Sequence, residues 1–189
     1  MKKLTTLVLA LAMVFSLAAC GNKNSGTTSK EDTNKTEKPK TVTIKSFNAN
    51  NEETDLEVPY DAQRIAVMDM ASLDILDSLG LGDRVVGSSS TSLDYLQEYV
   101  TNDEIVDLGT IKEADMEAVM SCEPDVIFIG GRLAQSYDAL SEIAPVVYLS
   151  TDTEIGLVKS VEKNAKTIAS MFGVEDDVKD LMDGYDARF

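Results

Sequence analysis

Histidine and tryptophan are absent from this chain. Without histidine there is no imidazole metal ligand, no Ser-His-Asp hydrolysis and no imidazole acid–base work. Cysteine is scarce, with Cys20 and Cys122 the two copies among 189 residues. Positive charge is scarce as well: 17 Lys and Arg stand against 33 Asp and Glu, a formal net charge of −16. Residues 1–40 hold seven of those basic residues and three of the acidic ones, which leaves ten basic against thirty acidic beyond them. A body that acidic repels nucleic acid and anionic lipid. Nucleotide-binding loops are missing: there is no G-x-x-x-x-G-K-[ST] and no G-x-G-x-x-G opening a helix. No nucleophile–base pair stands out either, so the chain reads as a binding module and not as an enzyme.

What is present begins at the N-terminus. Lys2 and Lys3 precede an apolar run over residues 4–19, which ends in Leu17-Ala18-Ala19-Cys20. A basic start, an apolar middle and small residues before a cut site make a secretory signal. The run is shorter than the roughly 20 residues that a membrane span needs. The cysteine after Leu-Ala-Ala resembles the bacterial lipobox. That resemblance implies a signal peptide over 1–19, a lipidated Cys20, and a protein held at the extracytoplasmic face of the cell membrane by acyl chains such as palmitate. Residues 21–40 contain no apolar side chain larger than proline. They bury too little to offset ordering entropy, so 20–40 reads as a lipidated tether. Cys122 is then left single and cannot form an internal disulfide. It ends a helical pattern and reads as a small core residue.

From Thr41 the pattern becomes that of a folded body. Val42, Ile44 and Phe47 lie in one β-rich stretch, Leu56 and Val58 in another, with a turn over 48–52 between them. Short apolar runs follow at 65–68, 85–87, 105–108, 126–129 and 146–149. Between them come the helical stripes Leu73/Leu76/Leu79, Met116/Val119/Met120 and Leu133/Tyr137/Leu140, and a weaker helical stretch near 93–99. Continuous apolar strands alternating with amphipathic helices predict an α/β lobe, a mostly parallel sheet flanked by helices, over 41–172. The stripe Leu157, Val161, Ala165, Ile168, Phe172 predicts a helix closed by Gly173. A further stripe, Val178, Leu181, Met182, Tyr185 and Phe189, is still apolar at the last residue. It reads as the start of a helix over 174–189 that runs on into a longer protein.

Ligands of an open parallel sheet bind beyond the carboxyl ends of its strands. The residues expected there are Asp69-Met70, Ser88-Ser89-Ser90, Gly109 to Lys112, Gly130-Gly131-Arg132 and Ser150 to Asp152. Arg132 opens a helix after two glycines that let the chain turn, where a cation opposes the helix dipole. Either an anionic ligand or a nearby carboxylate accounts for it. Lys112 is a second candidate, although Glu113 and Asp115 beside it suit a solvated salt bridge equally. Ser89, Ser90 and Met70 complete the ligand-facing set; the serines serve as donors or as a plain polar loop. Asp69, Asp74 and Asp77 look like a carboxylate cluster, but their spacing fits a solvated helix face better than a metal site.

Several segments, in order, resemble the iron-siderophore solute-binding lipoproteins of ABC transporters. They are Val58-Pro-Tyr-Asp-Ala-Gln-Arg-Ile-Ala-Val-Met-Asp-Met, Leu76-Asp-Ser-Leu-Gly-Leu-Gly-Asp-Arg-Val-Val-Gly87, Leu108-Gly-Thr-Ile-Lys-Glu-Ala-Asp-Met-Glu-Ala-Val119 and Glu123-Pro-Asp-Val-Ile-Phe-Ile-Gly-Gly-Arg132. Within that family the chain is most similar to the petrobactin and catecholate type of Firmicutes. The resemblance implies the N-terminal lobe of a class III periplasmic-binding-protein fold, ending in the start of a long interlobe helix, with the second lobe absent. It implies a ferric siderophore as ligand, its iron held by the siderophore and by no protein cofactor or metal site. It makes Arg132 the lobe's contact with the anionic complex, and Glu117 the carboxylate that meets an arginine of the ABC permease. A haem or corrinoid receptor, or a degenerate surface lipoprotein without transport activity, are the alternative readings.

Overall fold

The computed structural model describes residues 39–186. The expected signal peptide, Cys20 and nearly all of the expected tether lie outside the described residues. Two strands, β1 (Thr41–Phe47) and β2 (Glu53–Pro59), form an antiparallel hairpin paired from Thr41–Pro59 to Phe47–Glu53. Its turn is made by Asn48, whose Oδ1 accepts from the N–H groups of Asn50 (2.9 Å) and Glu52 (3.0 Å).

The centre is a five-stranded sheet, parallel throughout, in the order β5-β4-β3-β8-β9. Its strands are β3 (Ile65–Met68), β4 (Val85–Ser88), β5 (Val106–Asp107), β8 (Val126–Ile129) and β9 (Val146–Tyr148). Every residue of β3, β8 and β9 is buried. That is why these strands read as unbroken apolar runs: a parallel sheet is covered on both faces. Successive side chains feed two cores. Ile65, Val67, Val126 and Phe128 point to one, Ala66, Met68, Ile127 and Ile129 to the other.

The first core is closed by α1 (Met70–Ser78), α5 (Leu157–Phe172) and α6 (Val178–Asp186). The second is closed by α3 (Met116–Ser121), the 3-10 turn Gly131–Ser136 and α4 (Tyr137–Ser141). The weak stretch near 93–99 is a 3-10 turn, Asp94–Leu96, followed by the single-turn α2 (Glu98–Thr101). Two aspartates cap helices that leave the carboxyl edge. Asp69 accepts from Ser72 N–H and Oγ, both at 2.9 Å, and Asp115 accepts from Ala118 N–H at 3.0 Å. Gly173 closes α5 in the left-handed region (φ 69). A Cβ there would also meet the Tyr60 hydroxyl, so a larger residue would need both a strained backbone and a shift of Tyr60.

The opposite, amino edge is tied by polar contacts. Arg84 Nη1 donates to Asp61 Oδ1 (2.7 Å) and to Ala62 O (3.0 Å), and its guanidinium lies 5.3 Å from the centre of the Phe172 ring. Arg64 Nε donates to Glu123 O (2.9 Å) and Cys122 O (3.1 Å). Asp125 accepts from the N–H groups of Gln63 and Arg64, each at 2.9 Å.

The structure differs from the sequence expectation at several points. Met120 is 52% exposed, because α3 is less than two turns long and buries Val119 and then Cys122. Leu157 is 58% exposed, since nothing described covers the first turn of α5. In α6, by contrast, the apolar stripe is buried as such a stripe should be, with Val178 and Leu181 packed against the lobe and Met182 half-buried beside them. The run at 105–108 pairs over two residues only, and the chain then makes a small hairpin, β6 (Gly109–Thr110) with β7 (Glu113–Ala114).

Candidate functional site

Chain order and sheet order disagree at one place. From β3 the chain proceeds outward through β4 to β5, then returns to lay β8 and β9 on the other side of β3. The loops therefore diverge above the β3–β8 pair, which leaves a crevice at their carboxyl ends. Met68 and Ile129 are the last paired residues there, followed by Asp69 and Gly130. A Cβ on Gly130 would stand 2.5 Å from Asp69 Oδ1, so any side chain there would have to displace the Asp69 carboxylate. The backbone of Gly130 is extended (φ −106, ψ 177). Steric clearance, and not a positive φ, is thus what the glycine supplies.

Arg132 follows two residues later, in the 3-10 turn, and is exposed. Arg64 and Arg84 both hold the amino edge together, whereas Arg132 has no hydrogen bond or ion pair among the described residues. Of the two explanations open from the sequence, the nearby carboxylate partner is therefore not seen among the described residues.

Lys112 sits at the tip of the β6–β7 hairpin, exposed, with its own N–H bonded to Thr110 Oγ1 at 3.2 Å. β7 packs against the 3-10 turn that carries Arg132, so the two cations occupy neighbouring segments of one rim. Ser90 is exposed, and its N–H donates to Gly109 O at 2.9 Å, tying the β4 loop to the same hairpin. Ser89 has no accessible surface; its N–H donates to Val67 O at 2.9 Å, and its buried Oγ has no hydrogen-bond partner among the described residues. Met70 is half-buried at the first position of α1, next to Asp69. Glu117 is exposed in the first turn of α3.

A groove that the sequence reading did not anticipate opens beside Met70. It has a volume of about 330 Å³ and is lined by Met70, Leu93, Tyr95, Leu157, Val158 and Val161, with Asp74 at its wall. Leu93, Tyr95, Leu157 and Val158 are four of the seven large hydrophobic residues exposed among the described residues. The available signal was apolar residues inside an otherwise polar loop, Leu93 and Tyr95, and an apolar residue at the very start of a helix, Leu157.

A larger cavity, about 500 Å³, lies at the amino edge and is lined by Asp77, Asp83, Glu98 and Glu104 among others. Its carboxylates suit no anion. Asp77 there accepts from Tyr99 Oη at 2.6 Å, and burial, then this bond, push the Tyr99 phenol well above its ordinary pKa. Asp69 and Asp77 thus have structural tasks. Among the described residues no group of three or more Cys, Asp or Glu is placed to hold a metal ion. Cys122 is buried, and burial pushes its thiol up, in keeping with a core residue.

Among the described residues no helix is long and apolar enough to cross a membrane. Residues 65–189 match the family described as "Periplasmic binding protein". The petrobactin-binding protein YclQ of Bacillus subtilis is 36% identical over 98% of this chain and 56% of its own length. Its crystal structure superposes with a TM-score of 0.69 at 34% identity, over 79% of this chain and 51% of that one. The periplasmic catecholate-siderophore binding protein VctP of Vibrio cholerae gives a TM-score of 0.66 at 28% identity, over 77% and 51%. The chain spans about half the length of these relatives. Sequence, sheet topology and superposition agree, and the chain belongs to the periplasmic binding protein family.

Proposed function

We propose that this chain is the N-terminal lobe of an extracytoplasmic solute-binding lipoprotein that captures an anionic ferric siderophore, of the catecholate type, and delivers it to an ABC permease. The observation that carries the reading is Arg132: an exposed guanidinium at the topological switch point, with no carboxylate partner among the described residues. A ferric tris-catecholate spreads several negative charges over many oxygens, and a guanidinium offers a planar fork of donors to such acceptors without ligating the iron. The siderophore supplies all the iron ligands, which suits a chain without histidine. Lys112 adds a second, more solvated cation, and Ser90 an accessible hydroxyl on the same rim. Relatives named for petrobactin and for catecholate siderophores support the ligand class.

Glu117, exposed on α3 and flanked by Glu113 and Asp115, is the permease-docking carboxylate in this reading. Cys20 is the lipid anchor. The test of ligand capture is calorimetric titration of the mature chain and its Arg132→Ala variant with a ferric tris-catecholate. Arg132→Ala is expected to lose about 1.5–3 kcal/mol, the range of a charged hydrogen bond. Lys112→Ala is expected to lose less. The reading fails if wild type does not bind the anionic complex, or binds it no better than a neutral ferric chelate.

A further inference from the structure

Resting on the siderophore reading, we infer that the β1–β2 turn positions Arg132: Asn51 holds the Tyr148 hydroxyl, and Tyr148 backs the Gly131 backbone that leads into the arginine.

The side chain of Arg132 makes no hydrogen bond or ion pair among the described residues. The backbone of the Gly131–Ser136 turn therefore decides where the guanidinium starts from. That backbone is braced at three points. Leu133 N–H donates to Gly130 O at 3.0 Å, and the Leu133 side chain is buried in the second core. Gly130 lies against Asp69. Gly131 lies against Tyr148, since a Cβ on it would stand 3.1 Å from Tyr148 Oη. Each of the two glycines before Arg132 thus faces a polar side chain from a different strand end, Asp69 after β3 and Tyr148 at the close of β9.

Tyr148 is in turn fixed by the hairpin. It pairs with Ile129 in the sheet and is buried. Its N–H donates to Ser46 Oγ at 2.9 Å, and its ring lies 5.4 Å from that of Phe47. Its Oη donates to Asn51 Oδ1 at 2.7 Å, across 97 residues of sequence. Burial pushes the phenol above its ordinary pKa, so it remains a donor at neutral pH. Asn51 sits in the left-handed region (φ 59), which asparagine and glycine tolerate best. Asn48 already closes the turn through its own Oδ1, so the Asn51 carboxamide is not needed for turning the chain. Its bond goes to the phenol that backs Gly131. A cation serves an anionic ligand best where it is held ready, because ordering a long side chain on binding costs affinity. Asn51 and Tyr148 are positioning residues in this sense: they touch no ligand and act through Arg132.

The experiment uses the mature chain and calorimetry with a ferric tris-catecholate, with a neutral ferric trihydroxamate for comparison. Asn51→Gly keeps the left-handed backbone and removes the acceptor; Tyr148→Phe keeps the ring and removes the donor. Each should weaken the tris-catecholate by about two- to tenfold, the worth of one hydrogen bond, and change the neutral complex by less than about twofold. In an Arg132→Ala background neither should weaken the tris-catecholate further, because the brace acts through that arginine. Amide NMR of the free chain should show the Gly131 and Arg132 signals moved in both variants. A loss that persists in the Arg132→Ala background makes the contact a general support of the lobe and overturns the inference. Unchanged tris-catecholate affinity in both variants, or unmoved Gly131 and Arg132 signals, overturns it as well. Each of these outcomes leaves the siderophore reading standing. Failure of wild type to bind the tris-catecholate overturns that reading, and the positioning role with it.

Discussion

Asp69 caps α1 and at the same time packs against Gly130, so one carboxylate joins the helix that leaves β3 to the loop that leaves β8. Gly130→Ala forces that carboxylate aside and strains the cap. The expected cost is about 1–3 kcal/mol, that of overpacking, read as a lower urea midpoint with an unchanged slope. Asp69→Ala alone should cost about 1 kcal/mol for the lost cap. The double variant should cost less than the sum, because removing the carboxylate relieves the clash. Strict additivity would show that the two residues do not act on each other.

Tyr99 gives the lobe a pH signature. Its phenol titrates higher in the folded chain than in the unfolded one, because of burial and the bond to Asp77. A group whose folded pKa is raised adds stability below its unfolded value, about pH 10, and that stability is lost as pH climbs toward the folded value. Wild type should therefore lose stability steeply above about pH 10. Tyr99→Phe should be weaker by about 1 kcal/mol at neutral pH and show a shallower alkaline decline. Urea melts at neutral and alkaline pH separate the two chains; parallel curves would refute the assignment.

Glu117→Arg should leave ligand affinity unchanged and slow iron uptake by cells carrying the transporter. A charge on an exposed helix turn mainly sets encounter and orientation at a basic partner patch. Reversing a facing permease arginine to glutamate should restore part of the rate. Wild-type uptake at equal expression would remove the docking role.

Cys20→Ser should abolish labelling by an alkyne-tagged palmitate and release the protein into the medium or periplasm. Equal labelling of the two chains would show that the acyl group sits elsewhere.

The parallel sheet was legible because burial on both faces makes β3, β8 and β9 continuous in apolar residues, and such runs need no periodicity to be seen. The β1–β2 hairpin was legible through alternation and an asparagine-rich turn. The β6–β7 hairpin was not, since two-residue strands carry no pattern. Met120 and Leu157 show a different gap. Periodicity finds the apolar face of a helix, but how far neighbouring elements cover that face is a tertiary fact. The three described arginines look alike in the sequence. Only the fold shows that Arg64 and Arg84 are used at the amino edge and that Arg132 is not. The groove escaped for the same reason, because Met70, Tyr95 and Leu157 come from three separate segments that meet only once the sheet has formed.

The polar ties among Asp61, Arg64, Arg84, Asp125 and Phe172 all lie at the amino edge, one strand length away from Arg132. On the proposed function, robustness and recognition are thus housed at opposite poles of the lobe. In that reading the exposed Ser90 and Arg132 are free to vary with the chemistry of the cargo, because their side chains support little of the scaffold. Changes at 61–64, 84 or 172–173 should lower the melting temperature while barely altering which cargo is chosen. A lineage meeting a new iron carrier has, in this layout, a rim that it can rewrite while the base stays as it is.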